Sequence, residues 1–102
     1  MLQSIEARTG TAVGAPWPES TQTEINQTVA AAAAASDTFA ATSAAQRASL
    51  LRALSAALEA ERATLVALAD RETGLGLPRL NGELDRTTFQ LRGFADVLDA
   101  GT

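Results

Sequence analysis

Residues 71–84, RETGLGLPRLNGEL, place three glycines and a proline between two long helix-like stretches. Gly74 follows the last turn of the first stretch, where a left-handed residue that ends a helix is usually glycine. Pro78 suits the first turn of the next helix, because the N–H that proline lacks has no helical partner there. The sequence therefore predicts a helix that ends near residue 73 and another that begins near residue 78.

The same glycines do not form a dinucleotide-binding loop. Such a loop needs the pattern G-x-G-x-x-G between a strand and a helix. Here Gly74-Leu75-Gly76 supplies only the first half of the pattern, follows a helix, and has Arg79 where the third glycine belongs. We therefore assign no cofactor-binding residue to this turn.

The helix after the turn carries an apolar stripe at helical spacing, formed by Leu80, Leu84, Thr87, Leu91, Phe94 and Leu98. Phe89 and Gly93 lie off this stripe, on the other side of the helix. A large apolar group beside a helix-interior glycine, which costs roughly 0.5–1 kcal/mol relative to alanine, indicates close approach by another part of the protein. The alternative is a single exposed aromatic, which is common. We take Phe89, Arg92 and Gly93 as a candidate interface face.

Upstream, two capping boxes mark helix starts, Thr21-x-x-Glu24 and Ser43-x-x-Gln46. The first helix has one apolar face, which contains Ile25, Val29, Ala32 and Phe39. The second helical region continues to residue 73, but Glu61 interrupts its stripe of leucines. A carboxylate in that position predicts a break near residues 59–62.

The first 20 residues contain Gly10, Gly14, Pro16 and Pro18, and they favour a short strand or hairpin with its bend at Thr9-Gly10. Trp17 is expected to anchor the entry to the first helix. The predicted fold is mostly α. A short β arm at residues 1–20 precedes a helical segment at residues 21–102, with helices at about 21–40, 43–60, 62–73 and 78–99.

The apolar content of 46% is thin in bulky side chains, because 23 residues are alanine while Leu, Ile, Val and Phe together supply 22. That share of the 102 residues is close to the one-fifth level below which chains tend to disorder. We therefore expect the chain to be part of a larger fold or to associate with itself.

The charge pattern argues against several partners. The net charge is −4, lysine is absent, and the eight arginines are scattered singly. Nucleic-acid binding needs a clustered basic face, and a membrane-surface helix also needs basic residues; neither is present in the sequence. The first ten residues lack the apolar core of an export signal, and the absence of cysteine fits the cytoplasm.

No set of residues points to catalysis. The sequence has no His, Cys, Lys or Tyr, which removes the commonest general bases and nucleophiles. The carboxylates have arginines at helical spacing, as in Glu59 with Arg62 and Glu83 with Arg86. These pairs favour a surface of ion pairs over a metal site, so we assign no catalytic or metal-binding residue.

The order and spacing of several short motifs nevertheless resemble a known family. Residues 45–98 contain the pattern R-x-x-x-L followed by L-E, then E-T-G, then L-R-x-F-A. They begin at Arg47, Leu58, Glu72 and Leu91 respectively. This series resembles the N-terminal helical region of NAD(P)-dependent aldehyde dehydrogenases. The sequence RLNGEL-x-RTT-x-QLR-x-FAD is most similar to the branch of the family that acts on 2,5-dioxovalerate (α-ketoglutaric semialdehyde).

The resemblance implies that the intact protein is an oxidoreductase of several hundred residues. A cysteine downstream of this chain would form a thiohemiacetal with the aldehyde, and NAD or NADP would accept the hydride. A glutamate, also downstream, would activate water to release the acid. The rest of that enzyme would be the partner of these helices. The last helix would border the substrate entrance, so the resemblance makes Phe89, Arg92 and Gly93 a candidate substrate-entrance face as well. The chain alone would be inactive and would associate with itself. The alternative is a stand-alone helical interaction or scaffold module without activity.

Overall fold

In a computed structural model, which describes residues 1–101, a two-stranded antiparallel hairpin precedes four helices. The strands are β1 (Leu2–Ile5) and β2 (Ala12–Trp17), and the helices are α1 (Gln22–Ala40), α2 (Ala44–Ala60), α3 (Arg62–Thr73) and α4 (Leu77–Asp99). This confirms the mostly α fold class with a short N-terminal hairpin. Within residues 1–101, none of the helices is long and apolar enough to cross a membrane.

The hairpin pairs Leu2 with Trp17 and Ile5 with Ala12, with one irregularity between Leu2 and Ser4. The Gln3 side-chain amide bridges this irregularity by donating to the carbonyl oxygen of Val13 at 3.1 Å. The prediction that Trp17 anchors the entry to α1 is wrong, because its side chain is 70% exposed. Trp17 lies at the end of the hairpin away from the bend, whereas the bend and β1 lie against α3.

Both predicted capping boxes form. The Thr21 hydroxyl accepts from the Glu24 backbone N–H at 3.1 Å, and the Glu24 carboxylate accepts from the Thr21 N–H at 3.0 Å. Ser43 and Gln46 make the same reciprocal pair at the start of α2. Each box satisfies two of the N–H groups that a helix start leaves without a partner.

The predicted break lies at Glu61, which has φ −104° and ψ 12° and separates α2 from α3. The break changes which residues face α4. In α3 the buried apolar residue is Val66, while Leu65 and Leu68 are exposed. The leucine spacing of α2 therefore does not continue into α3 as a buried stripe.

The centre of the structure is an antiparallel contact between α2 and α4 made by small residues. Ala48 and Ala95 are 0% exposed, and Ser55 and Thr88 are almost as buried. The Ser55 hydroxyl donates to the backbone carbonyl of Thr88 at 3.4 Å, so a one-carbon side chain reaches the opposite helix backbone. Each helix places its two buried small residues seven apart, which puts them on one face.

This contact corrects the predicted stripe of α4. Thr87 and Phe94 are exposed, and their neighbours Thr88 and Ala95 are buried in their place. Apolar character alone predicts that Phe94, rather than Ala95, is the buried residue. The close approach of α2, however, leaves room only for the small side chains one residue further along the helix.

The turn between α3 and α4 has the predicted form. Gly74 has φ 70° and is the left-handed C-cap of α3, and Gly76 has φ 95° and precedes α4. Pro78 lies in the first turn of α4. The left-handed conformation at residue 74 is what allows the chain to reverse between the two helices.

We expect Gly74→Ala to lower the free energy of unfolding by about 1 kcal/mol, because an L-residue is strained at this positive φ. The added Cβ would lie 3.5 Å from the Ala7 Cβ, an ordinary contact, so the cost is in the backbone. Gly82→Ala, in open space inside α4, is the control and should be neutral or stabilising. Urea unfolding measures both, and equal shifts for the two variants would contradict the prediction.

The chain is far from spherical. Its radius of gyration is 17.8 Å, whereas a compact domain of this length has about 13 Å. No residue of α1 is buried, although Ile25, Val29 and Phe39 form an apolar face. The structure therefore consists of a packed unit, α2 to α4 with the hairpin bend, and a helix that lies apart from it.

Candidate functional site

The three candidate interface residues lie in adjacent turns of α4. Gly93 faces away from the buried Thr88 and Ala95, whereas Arg92 borders the buried face and contacts Ser55. Phe89 is 70% exposed, Arg92 is exposed and Gly93 is half-buried. The three residues are neighbours on the helix but do not line a single depression, because Phe89 lies between two shallow concavities. Phe89 and Arg92 border a polar one, and Phe89 and Gly93 border an apolar one.

The apolar concavity is a continuous surface, which we name the apolar strip of α4; it consists of Phe89, Gln90, Gly93, Phe94 and Val97. Phe94 is 65% exposed, and Val97 is also exposed. Exposed aromatic groups that share one surface usually mark a contact with another protein or another part of the chain. The strip is therefore a candidate contact surface.

The polar concavity lies beside a cluster of charges that joins three helices. Arg62, at the start of α3, donates to the carboxylates of Glu59 at 2.8 Å and Asp85 at 2.6 Å. It also donates to the backbone carbonyl of Asn81 at 3.1 Å. The Thr88 hydroxyl donates to the same Glu59 carboxylate at 2.9 Å. Arg62 thus connects α2, α3 and α4 at the helix break.

The sequence indicated only part of this cluster. The Glu59–Arg62 pair was expected from its spacing and is present, but within the described residues Glu83 and Arg86 form no ion pair. The contacts of Arg62 with Asp85 and Asn81 were missed, because they span 23 and 19 residues. No local spacing pattern indicates a contact of that length.

The electrostatics of the cluster are unsuited to proton transfer near neutral pH. Hydrogen bonds from Arg62 and then from Thr88 lower the pKa of the Glu59 carboxyl, against a smaller opposing effect of desolvation. The hydrogen bond to Glu59, and then that to Asp85, raise the pKa of the Arg62 guanidinium against the opposing effect of desolvation. A carboxylate of lowered pKa is a poor general base, so the cluster is best described as a structural junction.

Arg92 is held differently. One of its terminal nitrogens donates to the Ser55 hydroxyl at 3.3 Å, and within residues 1–101 it makes no ion pair. The remaining N–H donors of the Arg92 guanidinium are therefore available at the polar concavity, which Arg92 borders. Within the same residues, no three His, Cys, Asp or Glu side chains are grouped so that they could hold a metal ion.

A second charged contact attaches the hairpin to the helices. The Arg8 guanidinium donates two hydrogen bonds to the Asp70 carboxylate, at 2.8 and 3.0 Å. The Ala7 N–H donates to the backbone carbonyl of Arg71 at 2.8 Å. We call this group the hairpin clasp. It fixes the bend of the hairpin against the end of α3.

The hairpin clasp also occupies the glycine turn. The Gly74 N–H donates to the backbone carbonyl of Asp70, and the Gly76 N–H donates to the Asp70 carboxylate at 2.9 Å. A phosphate needs free N–H donors and no competing anion. The residues of this turn therefore do not fit the phosphates of a dinucleotide, which agrees with the sequence argument against such a loop.

Acid should weaken the hairpin clasp. The hydrogen bond from Arg8, and then that from the Gly76 N–H, lower the Asp70 pKa below its ordinary value of 3.8, against partial desolvation. A depressed folded-state pKa contributes stability that is complete above the unfolded value and is lost as the pH falls through the folded value. We thus expect the melting temperature to decrease as the pH is lowered below 3.8, and protonation of Asp70 to cause part of that decrease.

Asp70→Asn should lower stability at neutral pH and flatten the dependence on acid, measured by thermal unfolding from about pH 6 to about pH 2. Glu72→Gln, which removes the charge of an exposed α3 carboxylate without an ion pair among residues 1–101, is the matched control. An unchanged slope in Asp70→Asn would show that the clasp does not contribute to acid unfolding.

Comparison with known proteins gives these features a context. Residues 2–101 match the family model described as the aldehyde dehydrogenase family. The chain belongs to the aldehyde dehydrogenase family. It is also similar to the alpha-ketoglutaric semialdehyde dehydrogenase of Acinetobacter baylyi (strain ATCC 33305 / BD413 / ADP1), with 36% identity over 100 residues. That match covers 98% of this chain and 19% of the relative.

The aldehyde dehydrogenase chain described here thus spans about a fifth of the length of the curated relative. The resemblance seen in the sequence motifs is confirmed. The main polar clusters of the chain are Arg62 with its partners and the hairpin clasp. Both connect secondary-structure elements to one another. They form no catalytic arrangement of nucleophile, base and cofactor contacts.

Proposed function

We propose that this chain is a structural segment of a longer aldehyde dehydrogenase, and that the intact enzyme oxidises an aldehyde to a carboxylate with NAD or NADP. The family match over residues 2–101 carries this proposal. The similar protein that acts on alpha-ketoglutaric semialdehyde supports that compound as the substrate. A location in the cytoplasm belongs to the same proposal.

In this proposal the chemistry takes place outside these residues. A cysteine further along the chain would form the thiohemiacetal with the aldehyde, and NAD or NADP, when bound, would supply the hydride acceptor. Residues 1–102 contain no cysteine, and their glycine turn is closed by the Asp70 contacts. The contribution of this segment is a rigid arrangement of α2, α3 and α4, held by the α2–α4 contact and by Arg62.

The experiment compares two proteins, residues 1–102 alone and the longer product of the same reading frame. We expect the longer protein to reduce NAD or NADP when alpha-ketoglutaric semialdehyde is added, measured by absorbance of the reduced cofactor. Residues 1–102 should give no aldehyde-dependent signal. Cofactor reduction by residues 1–102, or none by the longer protein with any aldehyde, would contradict the proposal.

The alternative, a helical interaction module without activity, has one observation in its favour, the exposed apolar strip of α4. The reading frame separates the two functions. A genuine stop codon directly after residue 102 supports the module, and a frame that continues into a cysteine-containing catalytic part supports the enzyme. The partners proposed for the chain are accordingly the rest of the enzyme or, for the chain by itself, a second copy.

Within the intact enzyme, we propose that the Phe89–Arg92–Gly93 face meets the catalytic part or the mouth of the substrate tunnel. Phe89→Ala should then change KM or assembly while the helices stay folded, since its side chain is exposed in this segment. Glu83→Ala, which alters an exposed α4 residue without an ion pair among residues 1–101, is the control. A Phe89→Ala enzyme with unchanged kinetics and assembly would refute the role of this face.

A further inference from the structure

The chain exposes more surface than a closed protein of its mass. Its accessible area is 7341 Å², whereas a folded monomer of 10.5 kDa exposes about 5,400 Å². The excess, about 1,900 Å², is more than twice the roughly 800 Å² that each partner contributes to a standard interface. The uncovered area is therefore sufficient for a stable dimer.

Helix α1 provides one of the uncovered surfaces. Ile25 and Val29 lie on its apolar face, and none of its residues is buried. The charged residues of the helix are Glu24 and Asp37, which lie on opposite edges of that face. With no basic residue anywhere in the helix, α1 presents an apolar surface bordered by negative charge.

Helix α4 provides a surface of complementary character. The apolar strip of α4 lies opposite its buried face, since Gly93 is two residues, or about 200°, from Ala95. Arg86 lies on the same side of the helix, towards its N-terminus. Within residues 1–101 Arg86 forms no ion pair, whereas Asp85 is paired with Arg62. This surface is thus apolar at one end and positive at the other.

We propose that two copies of this chain form a two-fold symmetric dimer in which α1 of each copy packs antiparallel on the apolar strip of α4 of the other. The spacing of the complementary groups matches. Val29 and Asp37 are eight residues apart in α1, as are Phe94 and Arg86 in α4, which is about 12 Å along either axis. Val29 then lies on Phe94 while Asp37 meets Arg86.

Two further features suit this packing. The run of six alanines at residues 30–35 has only small side chains, and Gly93 has open space where a side chain would be. Small residues on both sides let two helices approach closely. Because each copy has one α1 and one α4 surface, a two-fold pair covers both surfaces and leaves none to recruit a third copy.

Light scattering of residues 1–102 over a wide range of concentration tests the proposal. The expected mass is about 21 kDa, twice the 10.5 kDa of one chain. Val29→Asp, which puts a charge against the apolar strip, should raise the dissociation constant by about tenfold or more. Gln27→Asp, on the opposite side of α1, is the matched control and should leave the mass unchanged.

A charge exchange tests the pairing directly. Asp37→Arg and Arg86→Asp should each weaken the dimer, and the double variant should recover most of the affinity, because it restores opposite charges across the interface. Circular dichroism should show the same helix content in all variants. A 10.5 kDa monomer at every concentration would overturn the proposal and leave these surfaces to the rest of a longer chain. Open-ended oligomers, equal effects of Val29→Asp and Gln27→Asp, or no recovery in the double variant would overturn it as well.

Discussion

Replacing Ala95 by leucine is expected to lower the free energy of unfolding by about 2 to 3 kcal/mol, at the upper end of the range for overpacked interiors. Ala95 is 0% exposed and lies in the contact of α4 with α2. In that contact the Ser55 side chain already reaches the α4 backbone. A side chain with three more carbons fits only if the helices separate, which would also break the bond between Ser55 and Thr88.

The control for this substitution is Ala53→Leu, which adds the same carbons on the exposed side of α2. Surface changes of this kind usually stay within about 0.5 kcal/mol. Urea unfolding followed by circular dichroism, at one fixed chain concentration, gives both values. Similar midpoints for Ala95→Leu and the unmodified chain would mean that α2 and α4 are not closely packed.

Arg62→Met is expected to lower the melting temperature more than any other arginine substitution in the chain. The change keeps most of the aliphatic side chain but removes the donors to Glu59, Asp85 and Asn81. Glu59 and Asp85 then remain near each other without the guanidinium that joins them, and the break at Glu61 loses its connection to α4. The Arg62 side chain is the least exposed of the ion-paired arginines among residues 1–101, so solvent screens its contacts least.

Arg52→Met is the comparison for this prediction. Arg52 also binds two carboxylates, those of Asp96 and Asp99, but its side chain is 44% exposed whereas that of Arg62 is 26% exposed. Solvent screens the more exposed contacts, so the loss should be smaller. Thermal unfolding of both variants measures the two decreases in melting temperature. An equal or larger decrease for Arg52→Met would contradict the prediction that Arg62 contributes most among the arginines.

The features that could be predicted from the sequence are those set by neighbouring residues. The capping boxes at Thr21 and Ser43, and the turn at Gly74, depend on groups at most four residues apart. The break at Glu61 is a similar case, since a carboxylate cannot be buried in an apolar stripe without a partner. These elements follow from local chemistry and need no knowledge of the tertiary structure.

The features that were missed depend on contacts between distant residues. Apolar character alone favoured Phe94 over Ala95 in α4, whereas the distance between α2 and α4 decides which one is buried. Arg62 was recognised with Glu59 but not with Asp85, because the second partner belongs to another helix. The candidate face at Phe89, Arg92 and Gly93 was found from one local irregularity, and its role in an enzyme remains a prediction.

The hairpin clasp has a consequence for the order in which this protein can fold as it is synthesised. Arg8 leaves the ribosome early, but its partner Asp70 follows 62 residues later. The hairpin cannot dock until α3 has emerged, and α3 itself packs mainly against α4, which follows it in the chain. Since a contact that closes a long loop cannot form before the second half of the loop exists, the hairpin is synthesised well before the helix that fixes it in place. Until then its exposed strands depend on nascent-chain chaperones or on their own short length to avoid pairing with other chains.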